Sequence, residues 1–340
     1  MSSPIEPAGW PHAQPPFHAG ERALQARAGL AERLGEIGRR VVRDHMPDQH
    51  RELFQKLPFM LLGALDAAGR PWATVATGRP GFVRTPDART LVLGGRPLGE
   101  AALGLQLASG ASVGLLGIEP ATRRRNRVNG AIAASDEAGL VVQVRQSFGN
   151  CPKYIQAREP APAETPVPPA APGPIGRHLP PAAAALVRQA DTFFIATASP
   201  DAAGGQTAPN GGVDVSHRGG KPGFVRVDDR EGTTSLTAPD FAGNFFFNTL
   251  GNITLDPRAG LLFVDWADGH LLLLTGHAEV VWDGPELQAF AGAQRLLRFR
   301  LDEGWWLEGA MPLRAGAAEL APQLAATGAW EPQPPLASEN

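Results

Sequence analysis

The sequence predicts a mainly β protein with flanking helices, built from two tandem copies of one β-rich unit. Three observations carry this. First, landmarks recur in the same order at a nearly constant offset: Arg79-Pro80-Gly81-Phe82-Val83-Arg84 is answered by Lys221-Pro222-Gly223-Phe224-Val225-Arg226, Gly114-Leu115-Leu116-Gly117 by Gly260-Leu261-Leu262-Phe263, and Val128-Asn129-Gly130 by Leu274-Thr275-Gly276. The period is too long for a solenoid and suits a duplicated domain. Second, 40 Gly and 33 Pro in 340 residues favour short strands and turns over long helices. Third, apolar runs such as 59–65 and 193–198 have strand length.

Residues 1–17 hold five prolines and little periodicity, which predicts a loose arm. From 21 to 44 the pattern is helical, with Leu30, Leu34, Ile37 and Val41 on one face. Pro47 opens a short helix over 48–56. Residues 58–157 form the first copy. Strands are expected at 59–65, 72–77, 82–85, 90–93, 112–118, 128–133 and 140–145, with a helix-like stretch at 98–107. Such a meander closes fully or partly into a barrel. Residues 158–181 are rich in Pro and Ala and read as a linker. The second copy, 182–314, begins with a helix near 182–190 and repeats the strand order. Its first hairpin carries a longer, glycine-rich loop near 200–212. After Glu286, the spacing of Leu287, Phe290 and Leu297 predicts a helix, then a strand pair over 301–313. Residues 315–340 read as a weakly ordered tail.

Composition narrows the function. Net charge is −3, so no global field draws the chain to nucleic acid or membrane. No apolar run is long enough to span a bilayer, and residues 1–20 lack a secretory signal pattern. A single cysteine, Cys151, excludes an internal disulfide or a cysteine-rich zinc site and suits a reducing cytoplasm. The eight histidines are scattered without ligand spacing, so no metal site is expected. A phosphate-binding Gly-x-x-x-x-Gly-Lys loop is absent.

Two basic features remain. If Arg123, Arg125 and Arg127 enter a strand, alternation puts them on one face, where three guanidiniums repel unless an anion or carboxylates sit among them. The alternative is a solvated sheet face with ion pairs. The second feature is Val213-Asp214-Val215-Ser216-His217-Arg218-Gly219-Gly220-Lys221, where Ser216 and Arg218 share a face and Lys221 lies nearby. The alternative there is a plain hairpin. Neither feature is repeated: Trp72–Gly78 is uncharged, and the counterpart of the arginine strand is Leu271-Leu272-Leu273-Leu274. Complementary divergence of this kind lets two copies build one composite anion site. Gly243-Asn244-Phe245-Phe246-Phe247 adds a candidate helix cap in Asn244, and its phenylalanines read as core and inter-copy packing.

The run 216–225, with residues 239–244, Asn252-Ile253 and Asp256-Pro257-Arg258-Ala259-Gly260-Leu261-Leu262-Phe263, resembles the pyridoxamine 5′-phosphate oxidase-related, FMN-binding split-barrel family. The first copy resembles the amino-terminal half of tandem members. The resemblance implies two tandem FMN-binding split β-barrels forming a pseudo-dimer, either as a monomer or with chains paired as a homodimer. It implies flavin at the barrel–barrel interface, with Ser216, Arg218, Lys221 and Asn244 on the phosphate side and Arg123, Arg125 or Arg127 facing in from the first copy. The implied activity is an FMN-dependent oxidoreductase or electron-transfer protein, with NAD(P)H or a redox protein as partner. One departure stands out: after Gly-Asn the family commonly has arginine or lysine, and here stand Phe245 and Phe246. The alternative is a partner module that has lost tight FMN binding or that binds haem.

Overall fold

The computed structural model describes residues 9–164, 170–204, 208–230 and 232–331. Parts of the expected arm, linker, second-copy loop and tail lie outside these residues. Three helices lead: α1 (Ala19–Arg27), α2 (Ala31–Val41) and α3 (Asp48–Lys56). The single helical stretch expected over 21–44 is broken at Gly29, whose φ of 71° is costly for residues with a side chain. The arm is not loose where it is described. Trp10 and Phe17 are buried in an aromatic cluster with Phe148 and Phe246, which replaces local periodicity as the ordering force.

The first copy runs β1 (Phe59–Leu65), β2 (Pro71–Thr77), β3 (Val83–Asp87), β4 (Thr90–Gly94), α4 (Glu100–Leu103), β5 (Ser112–Glu119), β6 (Arg124–Asp136) and β7 (Gly139–Gly149). Two short strands, β8 (Ala161–Pro162) and β9 (Gly173–Ile175), interrupt the expected linker. The second copy runs α5 (Pro181–Gln189), β10 (Thr192–Ala198), β11 (Val213–Gly219), β12 (Arg226–Arg230), β13 (Thr233–Phe241), α6 (Asn248–Leu255), β14 (Arg258–Val264), β15 (Leu271–Val281), α7 (Pro285–Gln288), β16 (Ala293–Leu307) and β17 (Leu313–Arg314). The helix expected after Glu286 shrinks to α7. Leu297 lies instead on β16, whose buried residues pair with β13 and β15, so tertiary pairing overrides the local spacing.

Sheet order shows the duplication directly. The first sheet reads β2-β1-β5-β6-β7-β4-β3 and the second β11-β10-β14-β15-β16-β13-β12, with β9 added beside β16. Strand for strand these are the same path. Both sheets are antiparallel and open; among the described residues no ladder joins their edge strands.

The two sheets face each other through β1, β2 and β5 of one copy and β10, β11 and β14 of the other, and small residues allow the approach. A Cβ on Gly114 would lie 2.7 Å from the Val213 carbonyl oxygen and 2.9 Å from Asp214 Cα. A Cβ on Gly260 would lie 2.4 Å from the Pro71 carbonyl oxygen and 2.6 Å from Trp72 Cα. Gly114 and Gly260 hold equivalent places in the repeat, as do Asp214 and Trp72. A Cβ on Gly63 would sit 3.1 Å from that of Ala196, its own counterpart. Each contact thus has its mate under a pseudo-two-fold relation, as in an isologous interface.

Candidate functional site

The pseudo-two-fold relation generates two equivalent crevices where the copies meet, and their contents differ. In one, β6 of the first copy presents Arg125 and Arg127 toward β11 of the second. In the other, β15 presents Leu271 and Leu273 toward β2. Leu271, Leu273 and Leu307 are buried within the first copy's core cluster, alongside Trp72, Leu103 and Leu105. Apolar side chains fill that crevice.

The first crevice is polar and encloses a cavity of about 110 Å³. Arg127 is buried and bonds Asp214 and Ser216, both also buried. These partners follow from strand alternation: Asp214, Ser216 and Arg218 share one face of β11. Thr249, in the first turn of α6, donates to Asp214 Oδ1 at 3.4 Å. Arg125 Nε donates to the Cys151 carbonyl at 2.9 Å, and its Nη1 reaches the His217 carbonyl at 3.5 Å. No carboxylate pairs with Arg125 among the described residues. Arg218 lies 3.5 Å from Asp240 Oδ1, whose other oxygen accepts from Arg295 Nε at 2.7 Å. Five cationic side chains (Arg125, Arg127, Arg218, Arg295 and Lys153) line the cavity against one carboxylate, Asp240; Asp214 is paired with Arg127 outside the lining.

The electrostatics record this crowding. Burial, joined by repulsion from Arg218 and Arg127, pushes the Arg125 pKa down to about 10, which still leaves it charged at neutral pH. Burial also lowers that of Arg127, against the pull of Asp214. Glu21, on α1 behind α6, is pushed up to about 8 by burial. The buried Arg127 Nε, Arg218 Nε and Asn150 Nδ2 have no hydrogen-bond partner. Surplus positive charge, unpaired N–H groups and a hydroxyl suit a phosphate monoester. The enclosed volume is phosphate-sized, below the roughly 300–1,000 Å³ of whole-ligand pockets. A tricyclic ring would extend beyond it.

Five of the seven residues proposed from sequence line this cavity: Arg125, Arg127, Ser216, Arg218 and Asn244. Two are held elsewhere. Arg123 does not enter β6; it closes the 3-10 turn Pro120–Thr122 with φ 55°, and its guanidinium bonds the Ile155 carbonyl and Glu319. Lys221 Nζ donates to the Thr327 carbonyl at 2.6 Å. Asn244 does not cap α6: its Oδ1 accepts from Phe246 N at 3.1 Å, and Phe247 is the cap residue, without a side-chain bond. Phe245 and Phe247 take φ of 60° and 62°, a strained backbone at the cavity wall.

Sequence reasoning did not assign Asp214, Arg295, Lys153 or Tyr154 to the site. Alternation on β11 was signal enough for Asp214. Arg295 lay in a segment read as helix. Asp265, Asp268 and His270 lie together near the start of β15, but their bonds are local: Asp265 Oδ1 accepts from Ala267 and Asp268 N, and His270 Nδ1 from Gly309 N. Among the described residues no helix is long and apolar enough to cross a membrane.

No curated protein matches the chain. Among solved structures it is similar to HupZ of Group A Streptococcus, with 13% identity, 37% of this chain and 92% of that chain covered, and a TM-score of 0.28. It is also similar to HutZ, the heme storage protein from Vibrio cholerae, with 14% identity, 34% and 84% covered, and a TM-score of 0.22. Overlaps this loose add nothing to the assignment. The family model for pyridoxamine 5′-phosphate oxidase matches residues 179–304, the span from just before α5 into β16. The second copy is therefore a domain of the pyridoxamine 5′-phosphate oxidase type.

Proposed function

We propose that the chain is a flavoprotein of the pyridoxamine 5′-phosphate oxidase-like type, two split barrels joined as a pseudo-dimer in one polypeptide, which binds FMN between them for oxidoreductase or electron-transfer chemistry. The observation that carries this reading is the convergence of Arg125 and Arg127 from one copy with Ser216 and Arg218 from the other on an enclosed, cation-rich space. Arg125 and Arg218 would hold the phosphate, with Ser216 beside them. Arg127 is already matched by Asp214, so its part is to fix Ser216 and to keep the buried carboxylate paired. FMN, when bound, supplies the two-electron chemistry; the chain supplies position and positive charge. The leucine-filled crevice leaves room for one flavin per chain.

Titrating FMN into the purified chain and following flavin absorbance and fluorescence tests this. One equivalent is expected, and Arg218→Ala should weaken retention by about tenfold or more. Unchanged flavin content in that variant removes the assignment. If wild-type protein leaves FMN free, the partner-module reading takes its place, which the carboxylate of Asp240 on the cavity wall favours. Haem has less support: His217, on the cavity wall, has its ring 5.8 Å from that of Phe194, on the other face of β11.

A further inference from the structure

The cavity opens beside a larger groove, of about 620 Å³, that the flavin reading does not use. The two share Arg125, Asn150, Cys151 and Asn244. Arg43, Arg123 and Arg124 add further cations, and no acidic side chain lines the groove. Arg123 has a partner in Glu319. Among the described residues Arg43 and Arg124 have no carboxylate partner: Arg43 Nη1 donates to the Val41 carbonyl at 3.0 Å and Arg124 Nη2 to the Gln49 carbonyl at 3.4 Å. The concentrated charge is felt by His50, whose pKa falls to about 4 through burial and the nearness of Arg43 and Arg124. Ile37, Val41, Pro152 and Phe246 supply an apolar wall.

In a chain of net charge −3, a groove lined by Arg43, Arg124 and Arg125 with no acidic side chain attracts an external anion. Its size suits a small molecule rather than a polymer. Arginine forks match phosphate oxygens, and the apolar wall matches the face of a ring. We propose that this groove binds the diphosphate and base of a nucleotide, making it the subsite for a nucleotide co-substrate that meets the cavity at Arg125 and Cys151. The inference rests on the cavity being the flavin site, but it is tested apart from it.

The probe is ADP, titrated calorimetrically into the full-length chain across a range of salt. Saturable binding that weakens with salt is expected, reduced about tenfold or more in Arg43→Gln/Arg124→Gln. FMN retention, read by flavin absorbance, should stay unchanged in that double variant. Absence of ADP binding at millimolar concentration, or equal binding by the variant, overturns the proposal and leaves the flavin reading standing. Pyrophosphate binding as tightly as ADP overturns the role of the apolar wall, and with it the nucleotide. A single-stranded oligonucleotide binding more tightly than ADP overturns it in favour of a polymer.

Discussion

The two crevices at the seam between the copies occupy equivalent places and have opposite chemistry. One buries Leu271 and Leu273; the other buries Arg127 against Asp214 and leaves Arg125 without a carboxylate. Burying a leucine contributes about 1.5–3 kcal/mol. A buried ion pair roughly breaks even against apolar residues of similar volume and is often worse. Stability alone would therefore favour leucine in both places. Arginine in one of them therefore fits a crevice that serves a ligand, while its twin is core.

This contrast can be broken by experiment. The largest effect is expected for Arg127→Leu, which gives the polar crevice the residue of its twin. It strands Asp214 without a cation and should cost about 3–5 kcal/mol in urea unfolding. Arg127→Leu/Asp214→Asn should recover most of that loss while flavin binding stays low. An unchanged midpoint in the single variant would show that the pair is not coupled.

Next come the two glycines that let the copies meet. Gly114→Ala and Gly260→Ala should each cost about 1–3 kcal/mol, by similar amounts, because each Cβ would strike equivalent backbone. Gly35→Ala is the control: it sits inside α2 with open space around it and should stabilise by about 0.5–1 kcal/mol. Clearly unequal losses at 114 and 260 would deny the pseudo-two-fold relation.

The smallest effect concerns Glu21, which interacts electrostatically with Asp214 and Arg127 behind the polar crevice. Its carboxyl titrates near 8 when folded and near 4.5 as the ordinary group, so folding retains a proton. Its contribution to stability is full below pH 4.5 and declines as pH rises to 8. Glu21→Gln should gain on wild type between pH 5 and pH 8, read from urea midpoints at both. Parallel pH dependence in the two proteins would mean that Glu21 is charged in the folded chain.

Much of this was legible in the sequence where local pattern and tertiary demand agree. The paired Gly-Leu-Leu landmarks turned out to be Gly114 and Gly260, the contact points of the copies, and α3 follows its expected 48–56 span. The loss of symmetry between Arg127 and Leu273 was visible as well. Long-range pairing was not. β16 carries helix-like spacing of Leu287, Phe290 and Leu297 at its approach, yet two neighbouring strands recruit it, so Arg295 entered the site unseen. Arg123 was misread because a 3-10 turn delays the strand by one residue and alternation starts at Arg124. Trp10 and Phe17 gave no periodic signal, since their partners Phe148 and Phe246 are far along the chain.

The packing of α1 against α6 carries a consequence for how the molecule is made. Gly20 and Gly251 touch so closely that neither admits a side chain, and Gln25 Nε2 donates to the Phe246 carbonyl at 3.2 Å. The opening helix therefore has no seat until the ribosome has released the segment around residue 250. Until then Phe17 lacks Phe246, and the nascent first half exposes apolar surface of the kind that favours aggregation.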